Sequence, residues 1–266
     1  MKGKFRVILL YVCIVMFSIS MAYIVYYKYT MYSENKDYAE LKTSKDEVST
    51  LESEDNNKTE NIESKSESVA KPIEILPEYE MLYKENADLY GWIKIEDTVI
   101  DYPVMYTPGN SNFYLYKNWY KEETSSGSIF IDGRISQTTN NIIVYGHNMK
   151  NGTMFGSLDQ YKEKNYYDEH KYIQFDTIYE KATYEIIAVA KAIVYYEYKP
   201  ENEFLFYEHI ELNSEEEFDE YVSYMKENSY YQIDSTAEYG DEIITLCTCD
   251  YWAQDARLLV VAKKIK

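Results

Sequence analysis

Glu242-Ile-Ile-Thr-Leu-Cys-Thr-Cys249 is followed, after the connection 250–256, by Arg257-Leu-Leu-Val-Val-Ala-Lys263. Both runs are short, apolar and rich in β-branched residues, and the break between them is polar, so they read as two strands joined by a short connection. A side-chain period of two puts Cys247 and Cys249 on one face of the first strand. The connection brings Arg257 back close to Cys249. On spacing alone, Arg257 pairs with Asp255 or Asp250.

Further strand-like runs extend this pattern toward the N-terminus: 92–95, 99–106, 128–131, 141–145, 172–176 and 183–196. Helical patterns interrupt them. Leu76-Pro77-Glu78 opens one that ends near Gly91, with Pro in its first turn. A short one covers Thr153–Tyr161. The third, 214–228, has Ser214 and Glu217 in capping-box spacing and Phe218, Tyr221, Val222 and Met225 on one face. Eight strands with few helices predict a mostly-β fold, a barrel or sandwich with helical insertions.

The chain has 266 residues, and 27 Lys+Arg against 46 Asp+Glu give a formal charge of −19, which argues against a nucleic-acid-binding face. The charge is unevenly divided. Residues 1–30 contain Lys2, Lys4, Arg6 and Lys28 and no acid, so they are +4 and the remainder is −23. Val7 to Tyr27 is uncharged over a length that spans a bilayer core as one helix, about 30 Å. We read 1–30 as a cytoplasmic stub and single-pass anchor, its N-terminus inside and everything later outside. Ser18-Ile19-Ser20 offers a competing signal-peptidase site, but apolar sequence continues beyond it. Residues 31–74 are an acidic, polar spacer with too little apolar surface to offset its ordering entropy. Residues 75–266 form the folded domain. The 32 tyrosines are unusual and composition alone does not explain them.

Of three histidines, His170 and His209 sit among charged residues and read as solvated surface. His147 instead follows the apolar run 141–145 and Gly146, where a strand gives way to a loop and a scaffold can present a reactive group. Cys247 and Cys249 admit three readings: buried small hydrophobes, metal ligands with His147, or a nucleophile. Two Cys and one His fall short of a four-ligand structural zinc site, and a Cys247–Cys249 disulfide would be strained. A thiol, an imidazole and a permanent cation together suit acyl transfer. The sequence identifies no carboxylate or amide partner for the histidine.

At these residues the chain resembles the sortases, membrane-anchored cysteine transpeptidases of Gram-positive surfaces. Thr245-Leu-Cys-Thr-Cys249 is similar to their TLxTC signature, with Arg257 at the family's spacing. Tyr145-Gly-His-Asn-Met149 resembles their histidine motif, continued by Gly152-Thr-Met-Phe-Gly-Ser-Leu158. Gly91-Trp-Ile-Lys-Ile95, Ile100-Asp-Tyr-Pro-Val104, Gly127-Ser-Ile-Phe-Ile-Asp132 and a helix-bearing insertion around 197–235 resemble class B. The resemblance implies an eight-stranded β-barrel with N-terminal helices and a helix inserted before the cysteine strand. It implies Cys249 as nucleophile, His147 as acid/base and Arg257 as oxyanion or positioning group. Tyr145, Leu115, Cys247 and Thr248 would line the peptide groove, Cys247 replacing a common serine. The implied partners are secreted proteins bearing a C-terminal sorting signal and an amine of the lipid-linked cell-wall precursor. No cofactor or metal is implied. Release to water, or a degenerate wall-associated binding protein, are the alternatives. An Asp-Pro-aromatic lid of the pilin-building class is not found, which makes pilus polymerisation the lesser expectation.

Overall fold

The structure is a computed structural model and describes residues 2–56, 74–136, 138–196, 198–201 and 203–266. Helix α1 spans Lys2–Asn56, so the first part of the spacer is helical. Residues 57–73 of the spacer lie outside the described residues. Along 5–27 the apolar side chains of α1 are exposed, and its length and composition suffice to cross a membrane.

The domain begins with α2, Pro77–Glu85, which ends earlier than the helix expected up to Gly91. Asn86 stops it. Its amide donates to the Tyr114 hydroxyl and the Trp119 carbonyl while its oxygen accepts from Asp88 N–H, the last a local turn that competes with helix. Strands β1 (Leu89–Lys94), β2 (Asp101–Met105), β3 (Ile129–Ile131) and β4 (Asn141–Tyr145) follow. Thr153–Tyr161, expected as a helix, is instead a bridge and a 3-10 turn over Gly156–Lys162. Met154 bridges Asn148 and Phe155 N–H donates to the His147 carbonyl, so helical geometry starts only at Gly156. The short α3 (Lys164–Glu169) was not expected from the sequence. Strands β5 (Tyr172–Thr177) and β6 (Thr183–Ile193), helix α4 (Glu215–Glu227), and strands β7 (Ile243–Cys249) and β8 (Ala256–Lys264) complete the domain.

The strands close into a barrel in the order β1-β2-β3-β4-β7-β8-β6-β5, as expected. Closure leaves no free edge, which suits an antiparallel-rich sheet. The β2–β3 and β4–β7 pairs are parallel, the rest antiparallel. Helix α4 is capped as its sequence foretells: the Ser214 hydroxyl accepts from Glu217 N–H, and the Glu217 carboxylate accepts from Asn213 N–H. Its buried Phe218, Tyr221, Val222 and Met225 join one cluster with Ile143, Ile187, Cys247 and Leu259. The cysteine strand is therefore backed by α4. A buried polar chain fixes the register: the Tyr221 and Thr245 hydroxyls are 2.6 Å apart, and Thr245 donates to Asn141 Oδ1 at 3.0 Å.

Candidate active site

The two strand pairings that flank β7 assemble the site. The parallel β4–β7 ladder ends at Tyr145↔Cys247, with Gly146 N–H donating to the Cys247 carbonyl at 3.2 Å. Two residues beyond that last pair, His147 stands just past the end of β4 and Cys249 ends β7. On the other side the antiparallel β7–β8 ladder ends at Cys249↔Arg257. Neighbouring strands are about 4.8 Å apart, so Cys249 stands between the two other residues that the sequence singles out.

All three line one cavity of about 460 Å³, together with Tyr145, Leu115, Cys247 and Thr248. Thr248 donates its hydroxyl to the Gly146 carbonyl at 2.8 Å, which pins the turn into His147. The Asn148 amide donates to the Cys249 carbonyl at 2.8 Å and holds the same two loops together from the other end. Sequence reading missed Asn148, whose type signals nothing by itself.

The partner of the histidine is a backbone carbonyl. His147 Nε2 is 2.8 Å from Leu115 O. A carbonyl only accepts, so Nε2 carries the hydrogen and Nδ1 of the neutral ring is left to take a proton. The Tyr116 ring lies against the imidazole at 5.3 Å between centroids. Two glycines permit this arrangement. A Cβ on Gly127, whose φ is +57°, would sit 2.3 Å from Leu115 O, and one on Gly146 would sit 2.5 Å from the Ile129 side chain.

The cysteines differ sharply. Cys247 is 2% exposed, and burial raises its thiol pKa to about 12, with Arg257 opposing and Cys249 adding to the shift. It is therefore a neutral thiol at physiological pH and a poor nucleophile. Cys249 is half-buried at the open end of the strand, and both thiols are free. The Tyr145 hydroxyl is likewise raised by burial.

Arg257 makes no ion pair among the described residues, so the pairing suggested by spacing alone does not form. Asp250 is taken by Lys162 at 2.6 Å and the Tyr230 hydroxyl at 2.9 Å. The guanidinium is held instead by uncharged groups: Nη1 donates to Ala256 O at 2.8 Å and Nη2 to the Tyr196 hydroxyl at 2.5 Å. Burial acts to lower its pKa, yet the net shift is upward, with the neighbouring Cys247, Cys249, Tyr196 and Asp255 all raising it.

The remaining histidines are less solvated than their charged neighbours suggested. His170 stacks on Tyr166 at 4.2 Å, and His209 stacks on Phe204 at 4.3 Å with its pKa lowered by burial. Aromatic side chains nearby in sequence cover both rings. Neither lines the cavity.

The sortase domain family matches residues 93–265. Sortase B of Staphylococcus aureus is 32% identical over 196 residues, 72% of this chain and 76% of the relative. Sortase B of Listeria monocytogenes is 35% identical over 179 residues, 66% and 69% respectively. Among solved structures, the Staphylococcus aureus sortase B–substrate complex superposes with a TM-score of 0.70 at 27% identity, covering 88% of this chain and 97% of that one.

Proposed function

The chain belongs to the sortase family as a class B cysteine transpeptidase, and on that premise we propose that Cys249, His147 and Arg257 carry its chemistry. The Cys249 thiolate attacks the carbonyl of a C-terminal sorting signal. The oxyanion forms beside the Arg257 guanidinium, a cation at every relevant pH. His147 takes the thiol proton at Nδ1 and passes it to the departing amine. Collapse leaves a thioacyl enzyme and frees the C-terminal peptide. An amine of the lipid-linked cell-wall precursor then attacks the thioester, with His147 removing its proton, and the amide product restores the thiol.

The observation that carries this reading is the position of Cys249 between His147, just past the end of β4, and Arg257 on β8, all three lining one cavity. Tyr145, Leu115, Cys247 and Thr248 form the wall against which the peptide lies. The N-terminal part of α1 holds the enzyme in the cell membrane as a single pass, the end with Lys2, Lys4 and Arg6 cytoplasmic and the acidic remainder, residues 31–266, outside. Residues 31–74 tether the catalytic domain, 75–266, to that anchor.

The test is mass analysis of sorting-peptide products with and without an amine acceptor. Wild-type protein gives the amine adduct, and Cys249→Ala and His147→Ala give neither cleavage nor adduct while remaining folded. Full cleavage by Cys249→Ala rejects the reading, and products that never contain the amine make the enzyme a hydrolase.

A further inference from the structure

Two free thiols line the cavity, and the reaction proposed above uses only one of them. Cys247 is left without chemistry. It is 2% exposed, and its sulfur makes no hydrogen bond among the described residues. It belongs to the cluster packed against α4 and also reaches the cavity wall.

Strand geometry fixes how the two sulfurs relate. Cys247 and Cys249 are alternate residues of β7, so their side chains leave one face about 6.6 Å apart. A disulfide needs Cβ atoms about 3.5–4.5 Å apart, and pairing with β4 at Cys247 and with β8 at both residues keeps the strand from pinching. A bridging metal ion asks for less. With metal–sulfur bonds of about 2.3 Å, the sulfurs of a linear site stand about 4.6 Å apart. Each side chain then leans only about 1 Å toward the other.

The surroundings select the ion. Among the described residues no group of three or more His, Cys, Asp or Glu is arranged to hold a metal, so an ion between the thiols has two protein ligands, both sulfur. Zinc, which takes four protein ligands in structural sites and three in catalytic ones, is undersupplied there. Soft thiolates select Cu(I), for which two-coordination is ordinary. Charge points the same way. Two thiolates on a monovalent ion leave one net negative charge, and Arg257, the cross-strand neighbour of Cys249, is a cation without an ion pair among the described residues. A divalent ion would give a neutral unit and leave the guanidinium uncompensated.

We propose that Cys247 and Cys249 form a two-sulfur site for Cu(I), and that the seated ion switches the nucleophile off. Each thiol gives up its proton and each sulfur donates an electron pair to the ion, so a dithiolate complex forms, two protons are released, and nothing is oxidised or reduced. Withdrawing the ion restores both thiols. Cys249 cannot attack a carbonyl while its electron pair is held by the metal. Binding stands on the two thiols alone, whereas its effect on catalysis rests on the function proposed above.

The experiment uses the full chain in detergent, with Cys13→Ser to remove the third thiol, under anaerobic conditions with ascorbate. Cu(I) is titrated against the chromophoric chelator bicinchoninate, and sorting-peptide cleavage is followed at each free-ion concentration. The parent is expected to bind one ion per chain, to lose its cleavage at saturation, and to recover when a stronger chelator withdraws the ion. X-ray absorption at the copper edge should show two sulfur neighbours. Cys247→Ser and Cys247→Ala should each bind the ion about a hundredfold more weakly, because a lone thiol loses the gain of a second, linked ligand. Each should hold its own metal-free rate at the ion concentration that silences the parent. Affinity or inhibition unchanged by the loss of Cys247 overturns the inference, since the ion then sits on Cys249 alone, and so does inhibition that no chelator reverses. If no Cys249-dependent cleavage is found at all, the function of the site fails and the titration alone decides the metal site: one-to-one binding that needs both cysteines supports it, and binding that needs neither rejects it.

Discussion

Cys249 and Arg257 face one another as the last pair of the β7–β8 ladder, so the thiol and the guanidinium owe their proximity to strand register and not to an ion pair. Arg257 is oriented by two neutral acceptors, Ala256 O and the Tyr196 hydroxyl. Its charge is therefore left for the reaction. Arg257→Ala is expected to lower kcat/KM by about a hundred- to a thousandfold, the usual effect of losing one oxyanion donor. Arg257→Lys should recover only part, since one ammonium cannot hold both acceptors and still present a donor. A fall of less than about fivefold in Arg257→Ala, measured under single-turnover conditions, would show that the oxyanion is stabilised elsewhere.

Cys247 should reveal itself through pH. Its folded pKa of about 12 lies above the unfolded value of about 8.5. The native state keeps this proton over an interval in which the unfolded chain has lost it, so stability falls as pH rises above about 8.5, by up to about 1.4 kcal/mol per pH unit. Buried tyrosines with raised pKa values add their own losses above pH 10. The comparison that isolates the thiol is wild type against Cys247→Ala in urea at pH 7 and pH 10: the wild type should lose about 2 kcal/mol more than the variant. Alkylation at neutral pH, read by peptide mass, should modify Cys249 and spare Cys247, and Cys247→Ala should retain most of the activity.

The hydrogen bond from His147 to Leu115 O can be broken without touching either side chain. Gly127 adopts φ +57° with its would-be Cβ 2.3 Å from that carbonyl. Gly127→Ala must displace the carbonyl, at a stability cost of about 1–2 kcal/mol for the left-handed backbone alone. With Nε2 no longer fixed, the imidazole tautomer and orientation are released. We expect kcat/KM to fall by at least tenfold, while thermal melting stays cooperative. An unchanged kcat/KM would mean that the carbonyl does not orient the ring.

The strands were legible because their signal is local: β4 lies where the apolar run 141–145 is, and the other seven differ from their sequence limits by one to three residues. The Ser214 cap was equally local. What escaped depends on distant contacts. The helix expected from Thr153 is unwound by a bridge to Asn148, and the histidine's partner is a backbone carbonyl 32 residues away, which no side-chain pattern encodes. The tyrosine excess is partly explained as core volume with a polar tip: buried Tyr79, Tyr114 and Tyr161 donate to Asp176, Asp88 and the His170 carbonyl.

The support of the cysteine strand by α4 gives a final prediction, on stability and not on chemistry. The Tyr221 hydroxyl is buried against Thr245, which also donates to Asn141, and these three residues tie α4, β7 and β4 together. Tyr221→Phe keeps the ring in the cluster with Phe218 and Met225 and removes one hydrogen bond, while Thr245 retains Asn141 as a partner. The expected loss is about 1 kcal/mol, read as a lower urea midpoint with an unchanged slope. Asn141→Ala should cost more, about 2–3 kcal/mol, because its amide also donates to the His209 carbonyl at 2.7 Å and both partners would be stranded in the interior. If Tyr221→Phe instead lowers kcat/KM tenfold at full stability, the polar chain sets the position of Cys249 and not merely the strength of the scaffold behind it.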